Sequence, residues 1–217
     1  MIVSDVMTTN VISIPSNTTF ADARRIMEAH HFRRIPVIDR SKLVGIVTKD
    51  MLDKTGPSQL TTFSMHEISY LLNKLTVEQI MRRDVVTVPP DMTVEDAVTL
   101  AQSKHVGALI VVQNDNVIGV CTTNDFFYRI LNPILGIGVP GSRLVVRDCY
   151  TGSDIEKVVS TIIKMKINIV NLFVIDFPEV KKHDLVVHID AANSTDAVEE
   201  IKQLGFTTEE RPREKQI

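Results

Sequence analysis

Two stretches decide how this chain is built: LVGIVTKDM at residues 43–51 and VIGVCTTND at 117–125. Each runs apolar into a glycine, apolar again into a threonine, and then to an acid. The acid has moved between them: Asp125 stands three after Thr122, Asp50 only two after Thr48. Sliding the chain on itself until Met7 falls on Met81 aligns the two threonines and holds without a gap back to Val3 and Val77. Val3, Met7, Val11, Pro15, Thr19, Asp22, Ala23, His31, Val37, Gly45 and Thr48 recur unchanged at that offset. Most other apolar positions exchange only among Val, Ile, Leu and Phe. One unit is therefore written twice, with Met51 where the second copy has Asp125.

Periodicity and turn residues predict the same elements in each copy. A short strand (11–14, 85–88) is followed by an amphipathic helix, an apolar strand (34–39, 108–113), a tight turn, a second strand (43–47, 117–121) and a helix. Thr19 with Asp22 and Thr93 with Asp96 have capping-box spacing at the start of the first helix. A copy of about fifty residues buries too little apolar surface to stand alone. The two copies are expected to pack as one pseudo-symmetric domain: repeat 1 at 1–60, a connecting helix at 61–75, repeat 2 at 76–131.

Residues 132–142, NPILGIGVPGS, form a Gly/Pro-rich break expected to be a linker. Gly136, Gly138 and Gly141 spell G-x-G-x-x-G, but the strand-like RLVVRD follows where a dinucleotide loop must open a helix. Ser142 and Arg143 also stand where a phosphate loop needs Lys and Ser/Thr. From 143 to 210 the pattern reads strand, helix, strand, strand, helix, strand, a ferredoxin-like order, ahead of a charged tail at 211–217. Ile155, Val158, Val159, Ile162 and Ile163 define the expected buried face of the first helix; Ser194 and Gly205 are the expected caps of the second.

The paired strand-Gly-strand-Thr-acid close, the gapless internal repeat and the P-V-I-D strand end at 36–39 resemble a tandem pair of CBS domains, a Bateman module. The third region, with INIVNLFVI at 167–175, is similar to ACT domains. The order of the three parts resembles regulators of the acetoin-utilisation type, AcuB. The fold class is then α/β (α+β), a tandem CBS pair with a βαββαβ ferredoxin-like ACT domain. The resemblance implies a regulator, not an enzyme, that binds AMP, ADP, ATP or S-adenosyl-methionine as a regulatory ligand with no obligatory cofactor. It also implies a homodimer acting on a protein partner in acetoin or central carbon metabolism. A non-sensing assembly protein with vestigial CBS sites is the alternative.

On that resemblance, Thr122 at a helix start meets the phosphate, Asp125 takes the ribose hydroxyls, and the base lies between Val86, Thr87, Val88 and the turn His105, Val106, Gly107, Ala108. Thr-x-x-Asp is equally a capping box, and both readings stand. In the first copy Thr48 keeps the phosphate role, Met51 replaces the acid, and Asp50 faces elsewhere. The turn carrying Arg33 and Arg34 is expected near the cleft shared with the second copy, either pairing with a phosphate or complementing the helix dipole. In the ACT-like region an amino-acid pocket would fall at Tyr150, Gly152, Ser153 and Asp154. His31 and His105 occupy matching positions, which suggests a shared structural task and no metal site.

A net charge of −3 gives no basic field for nucleic acid. No apolar run reaches a membrane span, and the first residues lack a signal-peptide pattern, so a cytoplasmic protein is expected. Cys121 and Cys149 have no metal or disulfide spacing and read as reduced packing residues. No Ser-His-Asp, Cys-His or paired-carboxylate arrangement stands out for catalysis.

Overall fold

Both copies make their central hairpin in the same way. In the computed structural model, which describes residues 1–55, 74–177 and 182–213, β1 (Arg34–Asp39) pairs antiparallel with β2 (Lys42–Thr48). β4 (Ala108–Gln113) pairs likewise with β5 (Asn116–Thr122). The turn residues Arg40, Ser41, Asn114 and Asp115 all have positive φ, the backbone that matches strand twist in two-residue hairpins. A bulge falls between Val37 and Ile38, and again at the matching place in the second copy, between Val111 and Val112.

The helices α2 (Phe20–Ala29) and α4 (Val94–Ser103) begin at Thr19 and Thr93, whose hydroxyls accept from the amides of Asp22 and Asp96. They end on His31 and His105, with φ of 56° and 51°. The next amide in each case reaches back to close the helix, Phe32 to the Met27 carbonyl and Val106 to that of Ala101. This closing position more often holds glycine, and it is the shared task of the two histidines. Further helices are α1 (Val3–Val6), α3 (Lys49–Thr55) and α5 (Thr123–Phe126).

The strands expected at 11–14 and 85–88 differ. In the second copy β3 (Thr87–Val88) runs parallel to β4, and the Ile110 amide donates to the Val86 carbonyl. In the first copy only Ile14 bridges to Val37. Pro36 occupies the place of Ile110 and has no N–H to donate to Ile12.

Each copy is completed by the head of the other. The Val3 and Ser4 amides donate to the Met92 and Pro90 carbonyls, and Thr8 exchanges two backbone bonds with Val120. Conversely the Val77 and Glu78 amides donate to Thr18 and Ser16, and Arg82 exchanges two bonds with Ile46. A one-turn 3-10 helix, Val77–Gln79, stands where α1 stands in the first head. Met7 sulfur rests on Gly119 and Met81 sulfur on Gly45, where a Cβ would come within 2.4 and 2.6 Å respectively. Val77 and Met81 join Phe20, Ile35, Val37, Val47 and Leu52 in one core. The expected connecting helix at 61–75 lies outside the described residues up to 73.

The chain divides at Phe126/Phe127. The second unit starts with a π-helical turn, Phe127–Leu131, and α6 (Asn132–Leu135), ended by Gly136 at φ 60°. It continues as β6 (Gly141–Val146), α7 (Gly152–Lys164), β7 (Ile169–Phe177), β8 (Lys182–Ile189), α8 (Thr195–Gln203) and β9 (Thr208–Arg213). The sheet order β7-β8-β6-β9, antiparallel throughout, is ferredoxin-like as expected. Leu144, Val146, Leu185 and Val187 form its core with Val158 and Ile162 of α7 and Ile201 of α8.

Several local expectations are corrected. The linker at 132–142 holds a helix and the first two residues of β6. Ile163 is 61% exposed, so the buried face of α7 is narrower than its sequence pattern. The Ser194 side chain bonds Glu210, and Asn193 accepts from the Thr195 amide to cap α8 in its stead. Gly205 takes the expected left-handed conformation, φ 94°. Cys121 and Cys149 are buried and in no disulfide, and burial pushes the Cys149 thiol up to about 11. Among the described residues no helix is long and apolar enough to cross a membrane.

Candidate functional site

The exchange of heads opens two clefts in the first unit, related by the repeat. The first, of about 600 Å³, is lined by the head residues Thr8, Asn10, Val11 and Ile12, the helix-end turn 30–34, and residues 122–125. The second, of about 480 Å³, is lined by Arg82, Asp84, Val85 and Val86, the turn 105–108, and Thr48, Asp50, Met51 and Lys54. Each cleft thus joins the head and helix-end turn of one copy to the strand-to-helix turn of the other. The cause is local: Thr8 is bonded to Val120, just ahead of Thr122, and Arg82 to Ile46, just ahead of Thr48.

This arrangement corrects the sequence grouping. Val86, His105, Val106, Gly107 and Ala108 line the cleft of Thr48 and Asp50, apart from the one lined by Thr122 and Asp125. The Thr123 amide does bond the Gly107 carbonyl at 3.3 Å, along the back of the turn. Thr87 is exposed and Val88 is in the core, and neither lines these clefts. Arg33 and Arg34 do share the cleft of Thr122 and Asp125. Thr8, Asn10, Val11 and Ile12 were missed; the recurrence of Met7 and Val11 at the repeat offset was the available signal that the head matters.

At the first cleft the Asp125 carboxylate is 9% exposed and held on both oxygens. Thr8 donates its hydroxyl to Oδ1 at 2.9 Å; Thr122 gives its amide and hydroxyl to Oδ2 at 2.7 and 2.6 Å. The Thr122 hydroxyl in turn accepts from the Asp125 amide at 3.4 Å. The capping box is therefore real, and Thr122 commits both its amide and its hydroxyl to the acid. The same spacing elsewhere has a different setting. Asp22 and Asp154 bond their capping threonines but lie toward solvent and pair with Arg25 and Lys157. Asp96 is exposed. Asp125 alone among these four is buried, braced from the other copy, and on a cleft wall.

In the second cleft Thr48 keeps the cap, its hydroxyl accepting from the Met51 amide at 3.2 Å. Met51 replaces the acid, and Arg82 replaces the bracing Thr8. Asp50, mostly exposed, stands 3.9 Å from Arg33. Between the clefts the Arg34 guanidinium lies on Gly107, where a Cβ would come within 2.5 Å of Nη2. Burial and then the Arg33 charge hold Arg34 below the usual arginine range, with Asp50 acting the other way.

In the second unit Thr151 caps α7 and accepts from the Asp154 amide. Asp154 also bonds Lys157, Gly152 and Ser153 open the helix, and the Tyr150 ring stands 4.4 Å from that of His183. The residues of the expected amino-acid pocket thus build a helix start. Among the described residues no group of three or more His, Cys, Asp or Glu is placed to hold a metal.

The CBS domain family matches residues 3–54 and 77–132, stopping short of the four-stranded sheet. An uncharacterized protein of Methanocaldococcus jannaschii is 28% identical over 126 residues, 57% of this chain and 37% of that protein. The CBS domain-containing protein YhcV of Bacillus subtilis is 27% identical over 124 residues, 57% of this chain and 81% of YhcV. A structure described as that of an acetoin utilization protein (AcuB) from Vibrio cholerae is 28% identical with a TM-score of 0.52, covering 61% of this chain and 91% of that one. The chain spans little more than a third of the first of these relatives.

Proposed function

Residues 3–54 and 77–132 are two CBS domains in tandem, and from that premise we propose that the chain is a regulatory ligand sensor whose first cleft takes an adenine nucleotide. The observation that carries this is the buried Asp125 carboxylate, fixed by Thr8 and Thr122 on the wall of a cleft that also holds Arg33 and Arg34. A fixed carboxylate suits the two hydroxyls of a ribose, since it accepts and cannot donate. The guanidiniums suit the phosphate. Thr122, its polar groups spent on Asp125, acts as a brace more than as a phosphate contact. The base lies against Val11 and Ile12; the Ile12 carbonyl, denied a ladder bond by Pro36, is the acceptor for an adenine amine. A volume near 600 Å³ is in the range of small-molecule sites.

The coupling would be a population shift, the nucleotide favouring one arrangement of the chain or of its partner. Pairing into a homodimer is supported by β7, a sheet-edge strand with Val170, Leu172 and Val174 exposed. The likeness to AcuB supports acetoin or central carbon metabolism as the controlled process. The alternative, an assembly protein with vestigial clefts, is favoured by one observation: the Thr122–Asp125 box is complete within the protein.

Thermal shift and calorimetry with AMP, ADP, ATP and S-adenosyl-methionine separate the two. On the sensor reading a nucleotide at a hundred times its Kd adds about 2.7 kcal/mol of stability. AMP binds more tightly than inosine monophosphate, whose oxo group meets the Ile12 carbonyl. Asp125→Ala loses the binding event of the first cleft and, with the capping box broken, about 1 kcal/mol of stability. If none of these ligands moves the melting point at millimolar concentration, the assembly reading stands.

A further inference from the structure

Arg34 and Ile46 are the residues shared by the linings of the two clefts, and of the pair only Arg34 is charged. Its backbone belongs to the helix-end turn of the first cleft, while its guanidinium rests on Gly107 in the wall of the second. The repeat supplies no second copy of it: Ala108 stands at the matching position, as Gly107 stands for Arg33. Among the described residues, the two clefts therefore share one bridging cation. We propose that Arg34 is a common anion ligand that serves one cleft at a time, so that nucleotide in the first cleft weakens binding in the second.

The inference rests on the reading of the clefts as nucleotide sites. A half-buried guanidinium pairs more strongly with a phosphate than a fully hydrated one. Once it has turned to the first phosphate, a second anion enters beside a neutralised centre. The second cleft then keeps Arg82 and Lys54, offset by Asp50 and Asp84. By linkage the weakening is reciprocal and can be measured from either side.

Calorimetric titration of the full chain with AMP tests this through a coupling cycle. The second cleft is read as the weaker event of the unmodified chain, then alone in Asp125→Ala. The expected result is binding about tenfold tighter when the first cleft is disabled, the order of one charge-assisted contact. In the Arg34→Gln background, which keeps most of the side-chain stem, the two values coincide. A melting curve of each variant verifies folding, and Arg34→Lys, retaining the charge, restores part of the difference. Equal affinities with Arg34 present overturn the proposal. So does a difference that survives Arg34→Gln, which would come from phosphate repulsion alone, or a second cleft that takes no AMP in Asp125→Ala. Absence of AMP binding by the unmodified chain overturns instead the nucleotide reading itself.

Discussion

The two clefts share one backbone plan and differ where residues face each other. In the first, Asp125 is braced by Thr8; in the second, the matching positions of the repeat hold Met51 and Arg82. Acid and brace were exchanged together, as their direct bond would require. The helix-end turns differ in the same concerted way, Arg33 and Arg34 against Gly107 and Ala108. Positions that make the fold, such as the head methionines and the strand glycines on which they rest, recur unchanged. Repetition has preserved the scaffold and released the chemistry of the walls.

The comparison breaks or holds most visibly on transplanting the pair. Met51→Asp with Arg82→Thr is expected to build the acid-and-brace pair in the second cleft, raising its affinity for AMP by tenfold or more and the count of comparable sites from one to two. Either substitution alone gives less, since an unbraced carboxylate points less well. Calorimetric stoichiometry checks this, and two comparable sites in the unmodified chain would show the difference between the clefts to be immaterial.

A smaller effect tests the sameness of the scaffold. Gly119→Ala and Gly45→Ala each drive a methyl group into a methionine sulfur, at a cost of about 1–3 kcal/mol. The two losses should be similar in denaturant unfolding and should shrink when Met7→Ala or Met81→Ala, respectively, makes room. A large loss at one site only would mean that the two heads are not equivalent supports.

The smallest effect concerns acid. The Ser16 side chain, and then the Ser16 amide that donates to Asp39 at 2.9 Å, hold the Asp39 carboxyl below its usual pKa. The counterparts in the second copy are Gln113 and Pro90, so nothing there titrates. A depressed carboxylate contributes stability that is complete above the unfolded value and lost as pH falls through the folded one. Asp39→Asn should therefore reduce stability near neutrality slightly and flatten its decline below about pH 4. An unchanged acid limb on melting would remove Asp39 from the account.

Much of this was legible in the chain. Strands 34–39 and 108–113 have the expected bounds because alternation and turn residues act locally. The Thr-x-x-Asp boxes formed wherever they were written, since a cap needs only its own four residues. Other features were not legible. The Ser194 hydroxyl was drawn from its helix by Glu210, far along the chain, and Ile163 kept its place in an apolar pattern while facing water. Most consequentially, Val86 and the turn 105–108 were grouped with Asp125 although they line the other cleft.

By itself the sequence determined the repeat, its offset, the hairpins, the caps and the identity of the unequal acid, all properties of spacing along one copy. Only the tertiary structure decided which head closes which copy. A head pairing with its own copy or with the other would leave the same local pattern, because the strands it meets, 43–48 and 117–122, are near-equivalent in sequence. Long-range backbone bonds from Thr8 to Val120 and from Arg82 to Ile46 settle that choice. With it they set Thr8 against Asp125 and Arg34 between two clefts.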